Sequence, residues 1–394
     1  MSRLPRRRHM KLSLVIAFAL TALVAPPARA QWTADPVIES HIQRGIHFVH
    51  DLSFDSAKGE FNQITKAEPD QPVGYFLLAT VEWWRIAVDP DNKNYDERFH
   101  SLLDKVVDLS EAQLKKNDHD VAALFFKGGG LGYRGRLHAL RSDWVQAAKS
   151  GQEALSIVQE AHRLAPDNYD ILFGVGVYDY YAEVIPELYP VVKPLMIFFP
   201  KGDKRRGLDE LRKAAQDGKY AKTEAAFFLA QILVNHEKQF DEAAAIAAKL
   251  HQEFPHNVLY HRYLGRAYAG AARSADVRTT YTEVLDRAHQ HAYGYNQSVE
   301  REAEYYIGQE DMNDGKLDSA LSHFYRCDEL SRAVDADQPA GFMVMTNLKI
   351  GMIYDKMSKR DDAIKQYNKV LKMTDYLDAH DLARRYLKTP YGKS

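Results

Sequence analysis

One stretch of the sequence has the spacing of a site for cofactor chemistry. Gly130, Gly132 and Gly135 stand in the order GxGxxG, which in dinucleotide-binding folds places a pyrophosphate against a helix N-terminus. That chemistry requires a strand before the glycines and a helix that opens at them. The preceding residues, VAALFFK, form a helix as readily as a strand. We therefore interpret the glycines as positions where two helices approach closely or bend, and we expect no nucleotide cofactor.

Histidines and carboxylates are the other candidates for chemistry. His41, His47 and His50 partly share one helix face, but no cysteine or carboxylate completes a metal-ligand set around them. We expect them to be surface histidines. The sequence motifs GxxxxGK[ST], GxSxG and HExxH are absent, and no carboxylate pair stands out as a general acid and base. The sequence therefore predicts a protein that is not an enzyme and has no metal or other cofactor.

The helices that would position any site recur at a fixed period. Three pairs of a large apolar residue and a glycine lie 43 residues apart, namely Leu264-Gly265, Ile307-Gly308 and Ile350-Gly351. Three aromatic residues follow at the same period, namely Tyr281, Phe324 and Tyr367. In a unit numbered from Val344, positions 7, 8, 11, 20 and 24 are Ile350, Gly351, Tyr354, Ala363 and Tyr367. This order resembles that of tetratricopeptide repeats (TPRs), whose usual period is about 34 residues.

The resemblance implies an all-α fold, a right-handed superhelical solenoid of antiparallel helix pairs. Small residues at positions 8 and 20 let the two helices of a pair approach, and large apolar residues at positions 7, 11 and 24 fill the space between pairs. We expect regular repeats at about 224–257, 258–291, 301–334 and 344–377. Looser repeats are expected at 38–71, 72–116, 120–166 and 169–217, the last with an insertion at 183–203. Together they make residues 31–394 one continuous solenoid.

The first 30 residues have the pattern of an export signal. Basic residues precede an apolar run from Leu12 to Ala25, and Ala28-Arg29-Ala30 offers small residues for cleavage before Gln31. We therefore expect a periplasmic or secreted protein, exported by the general or the twin-arginine route. Without the signal, the formal charge changes from −2 to −8. An acidic chain of this kind lacks the excess of basic residues that is typical of nucleic-acid-binding proteins.

The resemblance also implies a concave groove lined by the first helix of each pair. The candidates for partner contact in that groove are Phe173, Val177, Tyr180, Arg262, Arg266, Tyr305 and Met352. Arg134 and Arg136 are further candidates, because arginine suits bidentate binding of an acidic peptide or a C-terminal carboxylate. They do not fall on matching positions of successive regular repeats, and a solvated helix end is the alternative interpretation.

The insertion at 183–203 is the most distinctive segment outside the repeats. Four prolines interrupt it, and it is too apolar to lie comfortably in water. We expect its apolar residues, which include Phe198 and Phe199, to cover part of the solenoid, to bind a partner as a flap or to contact a membrane. The sequence thus predicts a non-enzymatic scaffold for protein or peptide interaction in the cell envelope, of open oligomeric state. The alternative is an envelope-associated protein that contacts membrane or a lipidic ligand through the insertion.

Overall fold

The computed structural model describes residues 32–33, 35–188, 193–197, 199–335 and 341–393. The predicted export signal and Phe198 lie outside the described residues. Helix pairs follow one another along the chain: α1 (Pro36–His50) with α2 (Phe54–Ala67), α3 (Pro72–Val88) with α4 (Asp96–Leu114), and α5 (Val121–Leu140) with α6 (Trp144–Leu164). Next come α7 (Tyr169–Leu188), the short α8 (Lys193–Met196) and α9 (Lys204–Asp217).

The second half of the chain continues the series. α10 (Lys222–Ile232) runs into a π-helical turn (Leu233–Glu237) and pairs with α11 (Phe240–Glu253). The following pairs are α12 (Val258–Gly270) with α13 (Ser274–His289), α14 (Gln297–Asn313) with α15 (Leu317–Asp335), and α16 (Gly341–Lys356) with α17 (Arg360–Val370); α18 (Ala379–Lys388) packs at the end. The described ranges contain no β-strand. The predicted all-α solenoid of helix pairs is confirmed.

The repeated glycines lie where the two helices of a pair touch. A Cβ atom added at Gly265 would stand 2.6 Å from the Tyr281 ring, and one at Gly351 would stand 2.6 Å from the Tyr367 ring. At Gly308 the corresponding distance to Phe324 is 3.1 Å. Unit position 8 therefore faces the aromatic residue at position 24 of the same unit, which confirms the predicted register of the repeats.

Two glycines in the glycine-rich part of α5 serve the same purpose in another pair. Gly130, Gly132 and Gly135 lie inside α5, with no strand before them. A Cβ atom at Gly128 would stand 2.7 Å from a Val158 methyl, and one at Gly135 would stand 3.3 Å from the Ala147 carbonyl oxygen. Gly128 and Gly135 thus let α5 and α6 approach closely, whereas Gly130 faces Val106 of α4 and a Cβ atom at Gly132 would meet nothing within 4 Å. The GxGxxG glycines do not form a dinucleotide-binding turn.

The first helix pairs pack against the fifth and sixth, about 200 residues away in the chain. The buried amide of Asn257 donates to the His50 carbonyl oxygen over 2.7 Å, and the Tyr260 hydroxyl lies 2.7 Å from His50 Nδ1. Trp84 donates its indole N–H to Glu224 over 3.1 Å. One hydrophobic core joins residues of both regions. The chain's own side chains therefore fill this part of the superhelix interior.

We call this packing of the first helix pairs against the fifth and sixth the closure of the superhelix. Because of it, His50 is not where the sequence predicted. It was expected to lie on the surface, but only 4% of the residue is exposed. Burial, together with the smaller effect of the nearby His47, lowers the pKa of His50 to about 3. His50 is therefore a neutral interior residue that bonds to Tyr260.

Helices α7 and α9 cross very closely and bring the carboxylates of Asp179 and Glu210 together. A Cβ atom at Gly207 would stand 2.7 Å from the Gly176 carbonyl oxygen. Beside this crossing, Asp179 accepts two hydrogen bonds from Arg206, of 2.5 and 2.8 Å. Burial and the adjacent Asp179 charge raise the pKa of Glu210 to about 7. Folding at this site therefore favours the protonated form of Glu210.

We expect Glu210→Gln to remove a pH dependence of stability. Between the ordinary glutamate pKa of 4.5 and about 7, the folded protein binds more protons than the unfolded chain. Its free energy of unfolding therefore falls as pH rises through that window. The variant should match the parent at pH 4 and exceed it by about 1–3 kcal/mol at pH 8. Thermal unfolding between pH 4 and pH 8 measures the stability of the variant and of the parent. The control is Glu187→Gln, at an exposed position of α7, and equal gains in the two variants would contradict the assignment.

Candidate partner-binding surface

The two predicted groove arginines of α12 bind a buried glutamate of the next pair. Arg262 donates to Glu302 over 2.7 and 3.1 Å, and Arg266 donates to it over 2.5 and 2.7 Å. The Tyr281 hydroxyl adds a third donor at 3.1 Å. Burial alone would raise the pKa of Glu302, but the two arginines outweigh it and hold that pKa at about 2. Both guanidinium groups therefore share one buried carboxylate inside the protein.

The predicted basic pair on α5 is likewise engaged within the chain. Arg134 donates to Asp104 over 2.6 Å. Arg136 donates to the buried Glu224 over 3.2 Å, and its guanidinium lies 4.2 Å from the Trp83 ring centroid. The structure places Arg136 at the closure between early and late helix pairs.

The predicted groove residues of α7 lie in one apolar cluster with α10. Phe173 and Val177 are half-buried, and Phe173 packs edge-on against Phe228 at 5.6 Å. Tyr180 is fully buried and donates its hydroxyl to Glu237 over 2.6 Å. Of these three residues, Tyr180 has no surface that a partner could contact.

The described part of the insertion is held at its C-terminal end. The Tyr178 hydroxyl donates to the Pro200 carbonyl oxygen over 2.5 Å, and the Lys204 N–H donates to Glu183 over 2.9 Å. Phe199 is half-buried, whereas Ile197 is 80% exposed. α7 continues through Pro186 to Leu188, so the first residues of the predicted insertion are helical.

Aromatic side chains of α14 and α16 form a continuous patch around Tyr305. The Tyr305 ring lies 5.3 Å from Phe342 and 5.5 Å from Tyr306, and Tyr306 stacks on Tyr281 at 4.7 Å. Met352, another predicted contact residue, is half-buried in the neighbouring core clusters. Because Tyr305, Tyr306 and Phe342 are only half-buried, part of each ring is accessible to a partner.

Lys349 lies beside this patch and was not among the predicted contact residues. Its Nζ atom stands 5.8 Å from the Tyr305 ring centroid. Burial lowers the pKa of Lys349 to about 8. Among the described residues, no carboxylate pairs with Lys349 and no hydrogen bond to its amine is found. We call Tyr305, Tyr306, Phe342 and Lys349 the aromatic–lysine face.

A sequence signal for Lys349 does exist. It is the one charged residue in the stretch GFMVMTNLKIGMIY, residues 341–354. Lys349 stands at unit position 6 of the last regular repeat and was not among the residues that the TPR resemblance placed in the groove. A search for lone charges in apolar helices would have found it, because a buried lysine needs a compensating partner.

No protein-family model and no curated protein matches the sequence. Among solved structures, human IFIT1, a dimer with m7Gppp-AAAA, has a TM-score of 0.43 and 13% identity, and the match covers 91% of this chain and 86% of that one. Yeast Tom70 has a TM-score of 0.31 and 11% identity, with 88% and 95% covered. A tetratricopeptide repeat protein from Parabacteroides merdae has a TM-score of 0.31 and 12% identity, with 79% and 99% covered.

These structures resemble this chain only distantly. The TPR-like fold of this chain stands on its own serial helix pairs and on the repeated contacts between position-8 glycines and position-24 aromatic residues. None of the described helices combines the length and the apolar character that crossing a membrane requires. The chain is thus a TPR-like helical scaffold, and its aromatic–lysine face is the candidate for partner contact.

Proposed function

We propose that the protein is a non-catalytic scaffold that binds a carboxylate-bearing peptide segment on the aromatic–lysine face. The observation that carries this proposal is Lys349, a largely buried cation for which the described residues supply no carboxylate. Removing a charge from water is costly unless an opposite charge compensates it. A partner carboxylate on the Lys349 amine would supply that compensation.

The neighbouring side chains support a peptide as the ligand. Tyr305, Tyr306 and Phe342 present half-buried rings, and aromatic residues give large apolar contact areas at little cost in side-chain entropy. Arg262 and Arg266 share the single carboxylate of Glu302. Two arginines on one carboxylate, together with Lys349, leave this region with an excess of positive charge, which favours an anionic group on the partner.

We expect Lys349→Met to weaken such binding at least tenfold, because a charge-assisted hydrogen bond contributes about 1.5–3 kcal/mol. The probe is a random peptide library with free C-terminal carboxylates, selected on the wild-type protein, beside the same library with C-terminal amides. Fluorescence polarisation of the selected peptides gives the affinities. Selection from both libraries would indicate Asp or Glu side chains as the source of the carboxylate, and selection from the free-acid library alone would indicate the C-terminus.

The matched control is Lys356→Met, at an exposed position of the same helix. Its peptide affinity should equal that of the wild type. Equal affinities for Lys349→Met and wild type, or selection of peptides without any carboxylate, would contradict the proposal.

We further propose that the scaffold works in the cell envelope, as the pattern of residues 1–30 suggests. Fractionation of cells that express the full chain tests this setting, and we expect a chain beginning at Gln31 in the periplasm or the medium. Recovery in the cytoplasm with residues 1–30 intact would refute it. Recovery of the processed chain with membranes would favour the alternative, contact through the insertion at 183–203, where Ile197 is exposed.

A further inference from the structure

Two histidines and a glutamate from three successive helices meet between the fifth and sixth helix pairs. His251 lies on α11, His261 on α12 and Glu283 on α13. One donor atom from each residue lies within 4.8 Å of the other two. His261 Nε2 is 3.8 Å from Glu283 Oε2. We propose that these three residues form a binding site for a divalent transition-metal ion of the zinc type.

The two imidazoles are suited to be neutral ligands. The rings stack at a centroid distance of 4.2 Å with an interplanar angle of 16°. His251 Nδ1 is buried and has no hydrogen-bond partner. Burial is the main reason that the pKa of both histidines is lowered, that of His261 to about 2. Both rings therefore carry a free lone pair at neutral pH, as metal binding requires.

Hydrogen bonds outside the cluster orient two of the three ligands. His261 Nδ1 lies 3.0 Å from the Tyr295 hydroxyl oxygen, and when Nδ1 donates to that oxygen, Nε2 has its lone pair toward the cluster. Arg287 donates to Glu283 Oε1 over 2.6 Å, which leaves Oε2 for the metal. Such outer partners are the usual support of metal-binding histidines and carboxylates.

The ligand types select the class of metal. Two imidazole nitrogens and one carboxylate oxygen suit Zn²⁺, Co²⁺ or Ni²⁺, whereas Ca²⁺ and Mg²⁺ prefer several oxygen ligands. The Arg287 guanidinium adds positive charge beside the cluster, which opposes a cation held by charge alone. Metals that form partly covalent bonds with imidazole are therefore favoured over Ca²⁺ and Mg²⁺. The Glu283 side chain is 45% exposed, which provides an entry path and room for a water molecule as fourth ligand.

Metal binding requires a small local adjustment. Donor atoms around a tetrahedral Zn²⁺ lie about 3.4 Å apart, given metal–ligand distances of about 2.1 Å. The stacked rings direct their lone pairs side by side, so one ring must turn toward the other. His251 is the ring that can turn, since it is half-buried and its Nδ1 has no partner to lose. A bound ion would then tie α11 to α12 and α13.

The test uses the tag-free chain after treatment with a chelator. Isothermal titration with Zn²⁺ should give one ion per chain, and Co²⁺ should produce the strong visible absorption of a four-coordinate site. His251→Ala should abolish the absorption, and Glu283→Gln should lower the affinity at least tenfold. His289→Ala, at an exposed position of α13, should bind as the wild type does.

A second readout separates metal binding from damage to the fold. Zn²⁺ should raise the melting temperature of the wild-type protein and of His289→Ala, because a ligand of the folded state stabilises it. The metal-free melting temperature of His251→Ala should stay near that of the wild type, but Zn²⁺ should no longer raise it. Failure of the wild type to bind Zn²⁺ or Co²⁺, or equal binding by His251→Ala, would overturn the proposal.

Discussion

Glu302→Ala is expected to lower the free energy of unfolding by about 3–5 kcal/mol, because it leaves two largely buried arginines without their shared carboxylate. Glu302 is fully buried and accepts hydrogen bonds from Arg262, Arg266 and Tyr281. Denaturant unfolding at pH 7 measures the loss. Glu329→Ala is the control, since the Glu329 side chain is 70% exposed in its ion pair with Arg326 and should contribute less than about 1 kcal/mol.

The same glutamate should also give stability a characteristic dependence on acid. The pKa of Glu302 is lowered from 4.5 to about 2 in the folded protein, so its contribution is complete above the unfolded value and is lost as pH falls from 4.5 toward 2. The gap between wild type and Glu302→Ala should therefore narrow across this window. Two results would contradict a stabilising role of the Glu302 ion pairs. One is a stability difference between wild type and Glu302→Ala that does not change with pH, and the other is an equal free energy of unfolding for Glu302→Ala and Glu329→Ala at pH 7.

Gly351→Leu is expected to destabilise the last helix pairs by about 1–3 kcal/mol, since a side chain would be forced into a well-packed contact. A Cβ atom alone would stand 2.6 Å from the Tyr367 ring. Because stability in a solenoid is a sum of local and neighbour interactions, hydrogen exchange should rise first in α16 and α17. Denaturant unfolding gives the overall loss.

The chain provides a matched control for this substitution. Gly59 lies in α2, and a Cβ atom there would meet nothing within 4 Å. Gly59→Leu should leave stability unchanged or raise it by up to about 1 kcal/mol, because leucine is the better helix former. If Gly351→Leu and Gly59→Leu have the same free energy of unfolding, position 351 does not lie at the helix contact.

The repeats were predictable because they depend on local spacing. A glycine and an aromatic residue 16 positions later, such as Gly351 and Tyr367, meet within one helix pair, so the pattern alone establishes their register. The glycines of α5 were interpretable for the same reason, since the helices around them were evident from the sequence.

The closure of the superhelix could not be predicted in this way. His50 and Tyr260 stand 210 positions apart, and no periodic pattern relates them. Their contact depends on the accumulated rotation of several helix pairs, to which every connection contributes. This closure explains why His50 is buried and why Arg136 pairs with Glu224 within the chain, although the sequence suggested surface positions.

The candidate site was predicted in part. Tyr305, a predicted groove residue, lies in the accessible aromatic patch, whereas Arg262 and Arg266 are bound to Glu302. A repeat pattern shows which face a side chain occupies but not which charge on a neighbouring helix neutralises it. The sequence marks Lys349 as a lone charge in an apolar helix, but only the structure shows that no described carboxylate pairs with it.

The most direct test of the proposed function is a double-mutant cycle between Lys349 and the partner's carboxylate. One selected peptide is made with its carboxylate and with the corresponding amide, and each form is titrated against wild type and Lys349→Met. If the two groups bind each other, removing both should weaken binding little more than removing either one, with a coupling energy of about 1.5–3 kcal/mol. Additive losses, with no coupling energy, would contradict the assignment of Lys349 as the group that binds the partner.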